Sequence, residues 1–222
     1  MEINQSNIRE ISFKNSLYSF SQDSSFGHGG SIWDGALVLV KYFEKNYEKL
    51  QSKFDFSNKT IVELGSGTGI CGIIFSEFAP KAIYLTDLQY LFPLMNENIK
   101  LNKKFLQSEI FVEELIWGEK SYDKIDEIFK HNTNGIDYLI WSDLIDSSGI
   151  YLEDLMKTIE YCFMKNPKLV IFNCYTIHKK KTVDSFIELL NQKKINFNEI
   201  DNKEMDEEYQ SDDIGISILY KS

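Results

Sequence analysis

The sequence predicts an α/β protein with one doubly wound, seven-stranded sheet, mostly parallel and closed by a C-terminal antiparallel hairpin. Short β-type runs alternate with amphipathic helical stretches along the 222 residues. A glycine-rich turn follows the first buried run, where a strand hands over to a helix. The last two β-type runs are joined by a segment without helical period, so they pair antiparallel.

Residues 59–64, Lys-Thr-Ile-Val-Glu-Leu, form the first clear strand, and a helix is expected over 68–78. Strand 82–86 and helix 91–101 follow, then strands at 109–115 and 136–141. Helix 151–164 leads through Pro167 into strand 168–174, and helix 182–191 precedes the closing runs 197–200 and 214–220. Ahead of the sheet, residues 36–44 have the spacing of an amphipathic helix and residues 11–20 that of a short hairpin. The length suits a single domain, with residues 1–50 as a hairpin and helix extension and 51–222 as the seven-strand core.

Lys and Arg total 24 against 34 Asp and Glu, a net charge of −10, which disfavours phosphate backbones and favours a basic partner. Hydrophobic residues at 43% supply a sizeable core, so disorder is not expected. Cys71, Cys162 and Cys174 lie far apart, as do His28, His131 and His178, so neither a disulfide framework nor a metal site is expected. With no leader-like start and no spanning apolar run, a soluble protein of the cytoplasm or nucleus is expected, with no membrane partner. The acidic segment 201–213 is either a solvated loop or a docking lip for a basic substrate, and Lys179-Lys180-Lys181 reads as an exposed helix start.

Chemistry concentrates at Glu63-Leu64-Gly65-Ser66-Gly67-Thr68-Gly69. Glycines there let the chain turn sharply and let a ligand approach the backbone. A dinucleotide fingerprint requires a glycine where Ile70 stands, and no Gly-Lys-Ser/Thr follows to make a P-loop. Glu63, ahead of the glycines, is poor company for a diphosphate and suits a cofactor carrying adenosine and a positive charge. Asp87 closes the next strand about 20 residues on, where a carboxylate accepts ribose hydroxyls. Taken alone, Asp87 is as readily a helix N-cap.

These residues resemble motif I and the second-strand acid of the class I, seven-β-strand S-adenosylmethionine methyltransferases. Gly30-Ser31-Ile32-Trp33-Asp34-Gly35-Ala36-Leu37 resembles the G-x-x-x-W-[DP]-A-[AS] segment of the protein lysine methyltransferases of family 16. Leu115-Ile116-Trp117-Gly118 resembles that family's L-x-W-G. The resemblance implies a Rossmann-like fold, S-adenosylmethionine as cofactor and a protein substrate bearing lysine. It implies that Trp33 borders the cofactor, that Gly65, Ser66 and Gly67 wrap its methionine part, and that Asp87 holds the ribose. Trp117 would lie against the adenine and Ser142 complete the wall. Read without the family, Trp33 and Trp117 are equally core anchors.

Ser142-Asp143-Leu144-Ile145-Asp146 follows the fourth strand, at the carboxyl edge where such sheets bind ligands. Asp143 matches the acid of the family's D-x-x-Y or D-x-x-F, whereas Asp146 stands where the aromatic is expected; Tyr151 and Tyr175 are candidates to replace that ring. Asp143 is assigned to acceptor positioning, with capping of the helix at Tyr151 as the plainer alternative. Freeing a lysine amine at pH 7 costs about 4.6 kcal/mol, and a carboxylate beside it opposes that deprotonation. The site lacks the Asn-Pro-Pro-Tyr type tetrad of base-modifying enzymes, so a protein amine is preferred over a nucleic acid, with a small-molecule acceptor or an inactive cofactor-binding module as alternatives.

Overall fold

A computed structural model describes residues 7–132, 135–145 and 148–221. Nine strands alternate with helices: β1 Ile8–Phe13, β2 Ser16–Ser21, α1 Asp34–Lys45, α2 Tyr47–Phe54, β3 Thr60–Leu64, α3 Ile70–Phe75 and β4 Ala82–Asp87. The chain continues through α4 Phe92–Leu101, β5 Glu109–Glu114, α5 Tyr122–His131 and β6 Tyr138–Ser142. It ends with α6 Leu152–Lys165, β7 Val170–Thr176, α7 Lys180–Gln192, β8 Asn196–Glu199 and β9 Ile214–Tyr220. The main sheet has the order β5-β4-β3-β6-β7-β9-β8. Its first five strands are parallel, and β9 runs antiparallel to both β7 and β8. The order reverses between β3 and β6, the point where doubly wound sheets open a crevice.

Every residue of β3 is buried, because apolar layers cover both faces of the sheet. One layer, under α1, α3 and α4, includes the rings of Phe43, Phe56, Phe75, Phe78 and Phe172; the other, under α5, α6 and α7, includes Trp141, Ile159 and Phe186. The N-terminal hairpin attaches by an unusual seam. Asn98 on α4 and Asn102, the residue just past its end, present their amides to β2 as a neighbouring strand would. Asn98 accepts from Ser21 N at 2.7 Å and donates to Ser21 O at 3.1 Å, and Asn102 does the same to Ser19 at 2.9 and 2.8 Å.

Two helices stand where the sequence pattern predicts none. Helix α2 buries only Leu50, and α5 buries only Ile125 and Ile128. The helix expected over 68–78 is shorter, because Gly69 takes a left-handed conformation (φ 78°) as its N-cap. A 3-10 turn, Ser76–Phe78, finishes it. The 201–213 segment holds two 3-10 turns, capped by Asp201 and Asp206, which accept from Lys203 N at 2.9 Å and Glu208 N at 3.0 Å. It lies along α1, with Met205 buried and its carbonyl accepting from Lys45 Nζ at 2.6 Å. No helix among the described residues is long and apolar enough to cross a membrane.

Candidate active site

The turn after β3 is stitched to the tip of β4. Ser66 N donates to Thr86 O at 3.0 Å, and Thr86 N donates back to Ser66 Oγ at 3.0 Å. Thr86 Oγ1 donates to Glu63 O at 2.6 Å. Gly67 has φ of 52°, and a Cβ there would sit 2.9 Å from Gly29 O, so only glycine lets the turn close under the preceding segment. Asp87 then locks the turn: Gly67 N donates to Oδ2 at 2.8 Å and Leu88 N to Oδ1 at 2.7 Å. Burial pushes the Asp87 carboxyl above its ordinary value, and the two N–H donors oppose that push. Each oxygen keeps a lone pair for a further donor.

Above this turn lies a crevice of about 700 Å³, lined by Trp33, Gly65, Ser66, Gly67, Asp87, Trp117, Ser142 and Asp143. A second, more apolar crevice of about 1030 Å³ adjoins it, walled by Leu88, Leu115, Ile116, Trp117 and Tyr151. Gly65, Asp87 and Trp117 belong to both, so the carboxylate stands where the two chambers meet. The Tyr151 ring meets Trp117 edge-on at 6.4 Å. Among the lining residues that the sequence does not assign to the site are His28 and Tyr90. The segment holding His28 is braced by Trp33, whose Nε1 donates to His28 O at 2.8 Å.

Glu63 is placed differently from its expected role beside the cofactor. It does not line the crevice; it is only 2% exposed, behind the turn, accepting from Gly72 N at 3.0 Å. Burial pushes its carboxyl up to about 8, against hydrogen bonds that lower it. Gly72 makes the room, since a Cβ there would meet Glu63 Oε2 at 2.8 Å.

The other end of the crevice is built around Asp143, which holds φ of 54°, a strained left-handed conformation for a residue other than glycine. Its N–H donates to Cys174 O at 3.0 Å. Oδ2 accepts from Gly35 N at 2.9 Å, in the first turn of α1, and Oδ1 accepts from Thr176 Oγ1 at 2.6 Å, at the end of β7. Asp143 therefore braces α1, whereas the helix after Tyr151 carries no side-chain cap. Of the two candidates for the missing ring, Tyr151 reaches the apolar chamber, and Tyr175 is buried away from it, donating to Glu199 Oε1 at 2.9 Å. Asp146 lies outside the described residues.

The two chambers suit a nucleoside bearing an amino-acid tail: an apolar slot with an indole, a carboxylate with free lone pairs at its mouth, and a glycine turn beyond. Such a fold and site define an adenosine-binding methyltransferase. The chain belongs to the lysine methyltransferase family, whose model matches residues 12–193. Its cofactor is S-adenosylmethionine. Methyltransferase-like protein 23 of Dictyostelium discoideum is 29% identical over 77% of this chain and 70% of that protein. Protein-lysine methyltransferase METTL21E of Mus musculus is 29% identical over 76% of this chain and 66% of that protein. The chain thus spans about two thirds of the length of these relatives. Among solved structures, a protein from Streptococcus mutans described as a S-adenosylmethionine-dependent methyltransferase has a TM-score of 0.59 at 13% identity, covering 96% of this chain and 55% of that one. At that identity the match speaks for the fold.

Proposed function

We propose that the protein transfers a methyl group from S-adenosylmethionine to a lysine side chain of a protein substrate. The observation that carries this reading is a single crevice with the glycine turn and Asp87 at one end and Ser142 and Asp143 at the other. The mouse relative's name supports lysine as the acceptor. A protein-sized substrate is supported by the exposed apolar side chains that line the two chambers: Trp33, Tyr90 and Tyr151. The net charge of −10 supports a basic partner over a nucleic acid. Cys71, Cys162 and Cys174 are free and buried, which supports a reducing compartment, cytoplasm or nucleus.

When bound, S-adenosylmethionine supplies a methyl group on a sulfonium, and attack by a neutral amine forms the carbon–nitrogen bond as the carbon–sulfur bond breaks. In this reading the chain's own contribution is alignment. Gly65, Ser66 and Gly67 cradle the amino-acid tail, with Glu63 supporting that turn from behind. Asp87 accepts the ribose hydroxyls, Trp117 covers the base, and Trp33 and Ser142 wall the path to the acceptor. Asp143 shapes the acceptor end, and the amine's proton leaves to water.

Incubation with methyl-labelled cofactor and a cell extract should place label in protein, recovered after hydrolysis as methyl-lysine. Label confined to the low-mass fraction would assign a small-molecule acceptor, and label confined to nucleic acid would reject the proposal.

A further inference from the structure

The acceptor end poses a chemical problem. An anionic carboxylate beside an incoming ammonium stabilises its charged form, yet only the neutral amine can attack. The structure holds the charge of Asp143 in a particular way. Its carboxyl group lies flat on Gly35, so closely that a Cβ on Gly35 would sit 2.4–2.6 Å from all three carboxyl atoms. That contact is at the first turn of α1, where the helix dipole is positive and Gly35 N donates to Oδ2. The other oxygen receives the short bond from Thr176 Oγ1 at 2.6 Å. Thr176 does not line the crevice; it acts from behind.

We propose that Thr176 is a positioning residue for methyl transfer: its hydroxyl holds Oδ1 of Asp143 while Gly35 N holds Oδ2, so the carboxylate braces the acceptor end without capturing the incoming ammonium. This rests on the amine-methylation reading above. The other titratable groups that line the crevice are His28, Asp87 and Tyr90, and the thiols of Cys71 and Cys174 near Asp143 are both pushed up by burial. None of them donates to Asp143, whose side-chain partners among the described residues are Gly35 and Thr176.

The test compares Thr176→Val, which keeps the β-branched shape and removes the donor, with Thr176→Ser, which keeps the donor. Cofactor affinity is read by calorimetry with S-adenosylmethionine, and activity as methyl-lysine formed in soluble extract protein across a pH series. The valine variant is expected to bind the cofactor within about twofold of the parent. Its rate should fall about tenfold at pH 7.5 and recover about one pH unit higher, and serine should restore the parent profile. An unchanged profile, a pH-independent loss with weakened cofactor binding, or failure of serine to rescue overturns the proposal. A parent protein that forms no methyl-lysine sinks the acceptor reading instead. The clamp is then read from fluorotryptophan NMR, where Thr176→Val must move the Trp33 resonance and leave that of buried Trp141 in place. An unmoved Trp33 resonance overturns the clamp as well.

Discussion

The two ends of the crevice, proposed above for cofactor and for acceptor, both centre on an aspartate with two hydrogen-bond donors, yet they are assembled from very different lengths of chain. Asp87 takes its donors from Leu88, the next residue, and from Gly67, 20 residues away. Asp143 takes its donors from Thr176, 33 residues away, and from Gly35, 108 residues away. The first end is a local motif that a strand, a turn and the next strand build together. The second exists only once α1, β6 and β7 have packed. Substitutions should therefore separate the two: damage at the first reads as lost cofactor affinity, and damage at the second as lost transfer at full cofactor occupancy.

The largest effect is expected from Asp87→Ala, which strips Gly67 N and Leu88 N of their acceptor and, in the proposed reading, the ribose of its partner. Cofactor affinity should fall by about 1.5–3 kcal/mol, roughly 10- to 150-fold in Kd by calorimetry. Retained affinity would break the comparison by removing Asp87 from the site. Asn98→Ala comes next. It orphans Ser21 N, Ser21 O and Thr68 O in a buried seam, and stability should drop by about 1–3 kcal/mol in urea unfolding. Gly35→Ala sharpens the contrast from the other side. Its Cβ would collide with the Asp143 carboxylate, so methyl transfer should fall about tenfold while cofactor Kd stays within about twofold.

The smallest effect has the opposite sign. Burial holds the Glu63 carboxyl near 8 in the fold, above its unfolded value of 4.5. Between those values the folded chain keeps a proton that the unfolded chain releases, so this group's contribution to stability is full below about pH 4.5 and declines as pH rises to about 8. Glu63→Gln should flatten that decline and raise Tm at pH 8 by a few degrees, read from melts at pH 5 and pH 8. A parallel downward shift at both pH values would show that Gln cannot replace the acid against Gly72 N.

The same division explains what the amino-acid sequence disclosed. Strands β3 and β4, the glycine turn and Asp87 fall within one short stretch, where spacing alone places an acid on the tip of the neighbouring strand. The seven-stranded, mostly parallel sheet and its closing antiparallel hairpin were legible for similar reasons, since alternating periods and a helix-free connection leave few arrangements open. Glu63 was misplaced because its charge suggested a cationic ligand, whereas strand alternation turns it behind the turn. The informative signal was Gly72, the gap that accommodates its side chain. The partners of Asp143 carried no local signal, because neither Gly35 nor Thr176 is near it in sequence. Helices α2 and α5 were missed although Tyr122, Ile125, Ile128 and Phe129 of α5 have amphipathic spacing, and His28 and Tyr90 because short 3-10 turns, not periodic elements, bring them to the crevice.

The seam between the N-terminal hairpin and α4 reaches further than its position suggests. Asn98 Nδ2 donates not only to Ser21 O but also to Thr68 O at 2.9 Å, within the glycine turn after β3. The hairpin is therefore a splint for that turn, fastened by two amides and by Phe13, Tyr18 and Phe20 buried in the core, not by membership of the sheet. Whatever loosens that seam reaches the methyl donor's cradle directly, with no strand of the central sheet having to move.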